Sequence, residues 1–215
     1  VLGAVTIANG TLVVDSYTAT VAGATSVSGT LKVGAGQYDA NGTFDATSGS
    51  IDFSNGNAQL LVSTPSVTSF GALDDATGTV VLEGLNAQTI NDSETFYSRK
   101  IDNASGVIFN AAVGVNGILN MNAGSIANAN NILTVGSSTG LGSIDYTSGI
   151  VTGRLRQYFP NSSGSKFFPV GNSSILRDIT VDFTSSPGTN QYLTASYNTG
   201  NPQDGNGSDL YKGLP

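Results

Sequence analysis

Gly10-Thr11-Leu12-Val13-Val14 returns further along the chain as Gly29-Thr30-Leu31-Lys32-Val33. The same form recurs in Gly42-Thr43-Phe44, Gly49-Ser50-Ile51-Asp52-Phe53 and Gly78-Thr79-Val80-Val81-Leu82. It comes back again in Gly117-Ile118-Leu119, Gly124-Ser125-Ile126 and Asn131-Ile132-Leu133-Thr134-Val135. Each unit is a Gly or Asn turn, then a small or hydroxyl residue, then a few apolar positions. The units are too short for helices, and no window carries apolar residues at helical spacing. Their separations fall near 7 and near 20. The shorter spacing makes a short strand with its turn, and three such units make one rung of a three-sided solenoid. A rung cannot bury its apolar side alone, but stacked rungs can. Residues 1–153 therefore predict a right-handed parallel β-helix of about seven rungs, some 35 Å long at roughly 4.8 Å per rung. Val, Ile, Leu and Ala should fill its interior, with Gly, Asn and Ser at the corners. A β-sandwich is the competing reading, but its strands are longer and alternate more strictly.

The grammar changes near residue 153. Five of the six prolines lie at or after Pro160, and aromatic and basic residues become denser. Arg154-Leu155-Arg156-Gln157-Tyr158-Phe159 and Asp178-Ile179-Thr180-Val181-Asp182-Phe183 alternate with period two. Tyr192-Leu193-Thr194-Ala195-Ser196-Tyr197 is the expected partner of the second run, across a turn at Ser186-Pro187-Gly188-Thr189. Residues 154–215 thus predict a smaller antiparallel, sandwich-like β module, incomplete or capping the open end of the solenoid.

Composition narrows the chemistry. Of 215 residues only 11% are charged, against 39% hydrophobic, and the net charge is −7. There is no Cys, so no disulfide and no thiolate nucleophile. There is no His, the commonest general base and transition-metal ligand. An acidic chain is poorly suited to nucleic acid, which is bound by Lys and Arg. No run approaches the roughly 18 apolar residues of a membrane span. The chain starts at Val1 and stops at Gly213-Leu214-Pro215 without a terminus signal, and reads as a segment of a longer polypeptide.

Residues 78–153 also resemble a known repeat. Gly78-Thr79-Val80-Val81-Leu82, Ala87-Gln88-Thr89-Ile90, Thr95-Phe96-Tyr97, Ile101-Asp102-Asn103, Gly106-Val107-Ile108-Phe109 and Val113-Gly114-Val115-Asn116-Gly117-Ile118-Leu119 are similar to the β-helical portions of large surface proteins exported by the type IX secretion system. Gly153-Arg154-Leu155, Phe168-Pro169-Val170-Gly171, Ile179-Thr180-Val181 and Leu193-Thr194-Ala195-Ser196-Tyr197 resemble the β module that follows that solenoid. The resemblance runs from position 78 to position 215, and its motifs are degenerate. It implies an extracellular protein attached to the bacterial cell surface, of adhesive or filament type. The partners it implies are other domains or copies of the same protein and the secretion machinery during export. It implies no catalytic residue.

Candidate sites are few. Asp74-Asp75 could form a catalytic acid pair of the kind pectin hydrolases use, but the companion Gly-His-Gly is impossible without His, and Arg99-Lys100-Ile101 matches the basic signature poorly. A turn feature is the simpler reading. A polysaccharide lyase would need clustered carboxylates for Ca²⁺ with a base facing them, yet residues 33–98 hold eight acids and no base. On this reading no Arg or Lys is set against the acids. Asp204, Asn206, Ser208 and Asp209 space oxygen ligands as a Ca²⁺ loop does, without its sixth-position Gly or its bidentate Glu; a flexible acidic loop is the alternative, and no other cofactor is expected. Asp92-Ser93-Glu94 reads as a solvated turn. Arg154, Arg156 and Tyr158 share a strand face that either packs between modules or meets an anionic glycan. The expectation is a non-enzymatic structural or adhesive element, a stiff stalk or filament component; a carbohydrate-active β-helix or carbohydrate-binding module is the alternative.

Overall fold

A computed structural model of the chain describes residues 1–53, 57–74, 77–188 and 191–198. The described residues contain no helix, and therefore none long and apolar enough to cross a membrane. Short parallel strands wind into a β-solenoid with three faces. On the first face Val5–Ile7, Thr25–Val27, Phe44–Asp45, Ser66–Val67, Gln88–Ile90 and Val107–Phe109 stack in that order. The second carries Thr11–Val13, Thr30–Lys32, Ser50–Asp52 and Ala72–Asp74, and continues through Glu94–Phe96 and Val113–Val115. The third stacks Thr18–Val21, Gln37–Ala40, Gln59–Val62, Thr79–Leu82, Ser98–Asp102, Ile118–Ala123 and Ser143–Tyr146. The parallel pairing excludes the sandwich reading for this part of the chain. One long strand, Ile126–Val135, turns a corner and joins the first face to the second.

The units found in the sequence are the strands that make up the rungs. Thr11 pairs with Thr30 and Thr30 with Ser50, so the Gly-Thr-Leu motifs lie one above another on the second face. The step from rung to rung is short where corners are tight, as in Thr18↔Gln37 and Gln59↔Thr79. It widens between Ile126 and Val151. Two loops absorb the difference: a bulge between Ala127 and Ile132, where Ala129 takes a positive φ of 42°, and the Ser137–Gly140 turn.

Inward positions form continuous columns. One on the third face runs Ala19, Tyr38, Leu60, Val80, Arg99, Leu119, Ile144; its neighbour runs Val21, Ala40, Val62, Leu82, Ile101, Met121, Tyr146. The interior is not only aliphatic. Phe44, Phe70 and Phe96 form a pile with ring centroids 5.8 and 5.3 Å apart. Phe53 and Phe109 are also enclosed. Arg99 stands inside with them, fully buried.

Corners decide which residues are replaceable. Gly124 has φ +88°, and a Cβ built on it would overlap the carbonyl oxygen of Asn103 on the adjacent rung. L-residues avoid that region of φ, and here the rung spacing leaves no room to relax. Gly124→Ala is expected to destabilise the fold by about 3 kcal/mol. A lower urea midpoint with an unchanged m-value would show it; an unshifted midpoint would refute it.

The strand Val151–Phe159 runs through residues 153 and 154 without a break, so the change in sequence grammar there marks a change of partner. Its residues pair in parallel with Ile126–Val135 on one side. On the other, Leu155 to Phe159 pair antiparallel with Gln191–Ala195. Gly164–Phe168 and Ile179–Phe183 form a separate two-stranded antiparallel sheet. The expected hairpin between residues 178–183 and 192–197 is therefore not formed. The aromatic residues choose the partners: Phe183 packs edge-on to Phe159 at 4.7 Å, while Tyr192 packs on Tyr158 at 5.2 Å. Of the expected turn at Ser186-Pro187-Gly188-Thr189, Gly188 takes φ +100° and its N–H donates to Ser186 Oγ at 3.2 Å, while Thr189 lies outside the described residues. Three contacts fasten the small sheet to the last rungs: Gln157 Nε2 donates to the Phe167 carbonyl (2.6 Å), Lys166 Nζ donates to the Gly142 carbonyl (2.8 Å), and Tyr146 packs on Phe167 (5.0 Å).

Candidate functional site: a polar trough over the last rungs

The second face carries a concave trough of about 580 Å³ where Glu94–Phe96, Val113–Val115, Ile126–Val135 and Val151–Phe159 lie side by side. Four adjacent strands span about 14 Å along the solenoid. The register explains the hollow. Thr95, Gly114, Thr134 and Arg156 form one outward column, and Gly114 has no side chain to fill it. Ala112 is nearly as small on the neighbouring column, which ends at Arg154. The bulge between Ala127 and Ile132 pushes Asn130 and Asn131 out along one edge, and Asn131 Nδ2 is tied back to the Phe109 carbonyl at 3.3 Å. Buried Asn128 braces the bulge by donating from Nδ2 to the Arg154 carbonyl at 2.8 Å.

Arg154, Arg156 and Tyr192 line the far end, and Ser93, Glu94 and Thr95 the near end. Arg156 is half-buried: its Nε donates to Thr194 Oγ1 at 3.4 Å, and its guanidinium carbon lies 5.9 Å from the centre of the Tyr192 ring. Arg154 is exposed. Of the three residues read from sequence as one face, Tyr158 does the packing, against Tyr192, while the two arginines border the trough. Ser93, read as part of a solvated turn, donates to the Ala112 carbonyl at 3.0 Å, and Asp92 accepts from Ser69 at 2.5 Å.

The acids and bases distribute differently from the expectation. The reading that no base is set against an acid is wrong. Lys32 Nζ lies 3.3 Å from Asp52, and Lys100 Nζ lies 2.6 Å from Asp102. Stacking causes the first pair, because it places residue 32 directly beside residue 52 in the next rung. Neither pair involves Arg154 or Arg156.

Asp74 is exposed on the second face in register with Asp52; Asp75, and with it the suggested acid pair, lies outside the described residues. The candidate Ca²⁺ loop of Asp204, Asn206, Ser208 and Asp209 lies outside them too. Among the described residues no group of three or more acids, His or Cys is placed to hold a metal. The arrangement nearest to a lyase site is at the edge of the third face. Burial raises the Glu83 carboxyl above its usual range, and the negative charges of Asp39 and Asp102 add to the rise. Asp102 is held low by hydrogen bonds from Lys100 and Asn122.

Two interior polar features escaped the sequence reading. Arg99, read only as part of a poor basic motif, has its guanidinium carbon 4.0 Å from the Phe96 ring centre, 5.0 Å from that of Phe109 and 5.7 Å from that of Phe70. None of its three nitrogens has a hydrogen-bond partner. Burial pushes the guanidinium down to about 9, opposed by the charge of Glu94. Gln88 and Asn103, both fully buried, form a corner network. Gln88 Nε2 donates to the Val62 and Thr64 carbonyls (2.8 and 3.0 Å), and its Oε1 accepts from Gly84 N–H (2.9 Å) and Asn103 Nδ2 (3.0 Å).

Comparison of the chain with protein-family models, with curated proteins and with solved structures finds no match.

Proposed function

We propose that this chain is a segment of an extracellular bacterial surface protein in which the solenoid acts as a stiff stalk that carries binding surfaces. The observation that carries this is the uninterrupted stacking: the seven strands of the third face form one unbroken parallel ladder, the inner five paired on both sides, around one continuous apolar interior. Each rung is held by backbone bonds to its neighbours, so a load along the axis is shared between rungs instead of falling on one hairpin. The low content of Lys and Arg, the missing Cys and the abundant hydroxyl and amide side chains suit an exposed stalk. The resemblance of residues 78–215 to surface proteins exported by the type IX system supports surface attachment, with other domains or copies of the protein as neighbours.

Single-molecule pulling tests the reading. The stalk should unfold at high force in steps of about 20 residues or small multiples, each a rung leaving the stack, and resist proteolysis when folded. Collapse in one low-force event would sink it. A carbohydrate-active enzyme is the second reading, favoured by Lys100 and Asp102 beside Glu83. Turnover of a polysaccharide by the purified chain, abolished in Lys100→Ala, would replace the stalk with that reading.

A further inference from the structure

We propose that the trough between Glu94 and Arg156 binds a uronic acid-containing polysaccharide lying along the solenoid axis. The inference rests on the stalk reading, for which it names the bound partner.

Three observations converge on this ligand. The first is charge. In a chain of net charge −7 with eight basic residues, the described ion pairs occupy Lys32 and Lys100, Arg99 is enclosed, Lys166 is turned onto backbone carbonyls, Arg177 is exposed but does not line the trough, and Lys212 lies outside the described residues. Arg154 and Arg156 are left on one outward strand face, neither of them in a described ion pair. Guanidinium groups present paired donors that match a carboxylate bidentately. Arg156 is already oriented by Thr194 and the Tyr192 ring, so less freedom is lost on binding.

The second is the lining. Tyr192 offers an aromatic surface, 45% exposed, on which the apolar face of a sugar ring can lie. Ser93, Thr95, Thr134, Asn130 and Asn131 offer hydroxyls and amides that suit sugar hydroxyls. A peptide would instead seek a free strand edge, and three of the four strands here, Val113–Val115, Ile126–Val135 and Val151–Phe159, are already paired on both sides.

The third is shape and sign together. The trough crosses four strands along the axis, and its strand repeat is close to the rise of an extended polysaccharide. Its cations stand at one end and Glu94 at the other. A polymer with one carboxylate per sugar and neutral hydroxyls between fits that polarity. A densely sulfated polymer would bring negative charge onto Glu94.

Isothermal calorimetry with oligogalacturonate, neutral xylo-oligosaccharide and heparin oligosaccharide tests this on the full chain. Oligogalacturonate should bind, more weakly as salt rises, and the neutral sugar should not. Arg154→Ala with Arg156→Ala should weaken binding about 10- to 100-fold with the circular dichroism spectrum unchanged. Arg154→Lys should recover part of the loss, since it restores charge without the fork. Absence of oligogalacturonate binding, equal binding by the double variant, or preference for heparin each overturns the proposal. None of these alters the pulling result, so the trough can fail while the stalk stands. A wild-type chain that unfolds in one low-force event fails the stalk whether or not it binds the sugar.

Discussion

Replacing Arg99 by Met should make the protein more stable. The position is fully enclosed, and its register partners are Val80 and Leu119. A guanidinium there with no hydrogen-bond partner loses its hydration and regains the attraction of three phenylalanine rings and part of the charge of Glu94. The fall from its ordinary value to about 9 means that folding penalises the charged form by about 5 kcal/mol relative to the neutral one. Faces of Phe96, Phe109 and Phe70 return about 2 kcal/mol when desolvated. Met fills a similar volume, has no donor to satisfy and packs well against aromatic rings. The expected gain is about 2–4 kcal/mol, a rise of roughly 5–10 °C in the thermal midpoint for a chain of this size. Arg99→Ala should do the opposite, because the space it leaves is lined by three rings that cannot close over it. Thermal or urea unfolding of the three proteins measures both. A less stable Met variant would mean that the rings outweigh desolvation, and the account of this core would be wrong.

The pH dependence supplies an independent check. Arg99 binds its proton less tightly folded than unfolded. The unfolded chain therefore holds more protons from about pH 9 up to the ordinary guanidinium value, and stability attributable to this residue rises with pH across that window. Below about pH 9 the penalty is present in full. The advantage of the Met variant should thus be constant up to about pH 9 and shrink above it. Taking the difference between the two proteins cancels the titration of the tyrosines.

The rungs were legible because corners repeat even when spacings do not. A Gly followed by a small residue and then Leu or Ile opens the second-face strands of four rungs, at Gly10, Gly29, Gly49 and Gly71, and the stacking of Thr11, Thr30 and Ser50 follows from it. Pairing beyond position 153 was not legible. Alternation shows that Ile179, Val181 and Phe183 share a face, but the partner is set by which aromatic ring meets which, and Phe159 and Tyr158 lie in a different rung. The candidate site was half visible. Arg154 and Arg156 could be placed on one face from period two alone. The trough beside them depends on Gly114 and on a bulge in the next rung, which become neighbours only through register. The same blindness hid the Lys32–Asp52 pair and turned Arg99 from a core residue into a fragment of a surface motif. In a solenoid, the contacts that carry chemistry lie one rung apart, and a one-residue uncertainty in rung length changes which side chains face each other.

Gln88→Ala should cost more than any surface substitution in the repeat. Gln88 and Asn103 belong to the segments that carry the family resemblance, Ala87-Gln88-Thr89-Ile90 and Ile101-Asp102-Asn103, and the structure gives both a physical task. The corner between the third face and the first is wide enough to leave carbonyls of Val62 and Thr64 and the amide of Gly84 reaching for a side chain. The Gln88 carboxamide meets all three and is bonded in turn by Asn103, which also donates to the Asn86 carbonyl at 2.8 Å. Every polar atom of the Gln88 side chain is thereby used. Truncation to Ala strands several buried backbone groups and opens a void beside them, and each unsatisfied group costs about 1–3 kcal/mol. The expected loss is about 4 kcal/mol. Gln88→Glu separates bonding from volume. It keeps the size and an oxygen to accept from Gly84 N–H and Asn103 Nδ2, but removes the donor to Val62 and Thr64 and buries a charge. It should be nearly as damaging at pH 7 and partly rescued at about pH 4, where a protonated carboxyl regains one donor. Asn103→Ala should be milder, since Gln88 keeps its three backbone partners. If Gln88→Ala and Asn103→Ala prove equally mild in urea unfolding, solvent enters this corner freely and the network is ornamental to the rung stack.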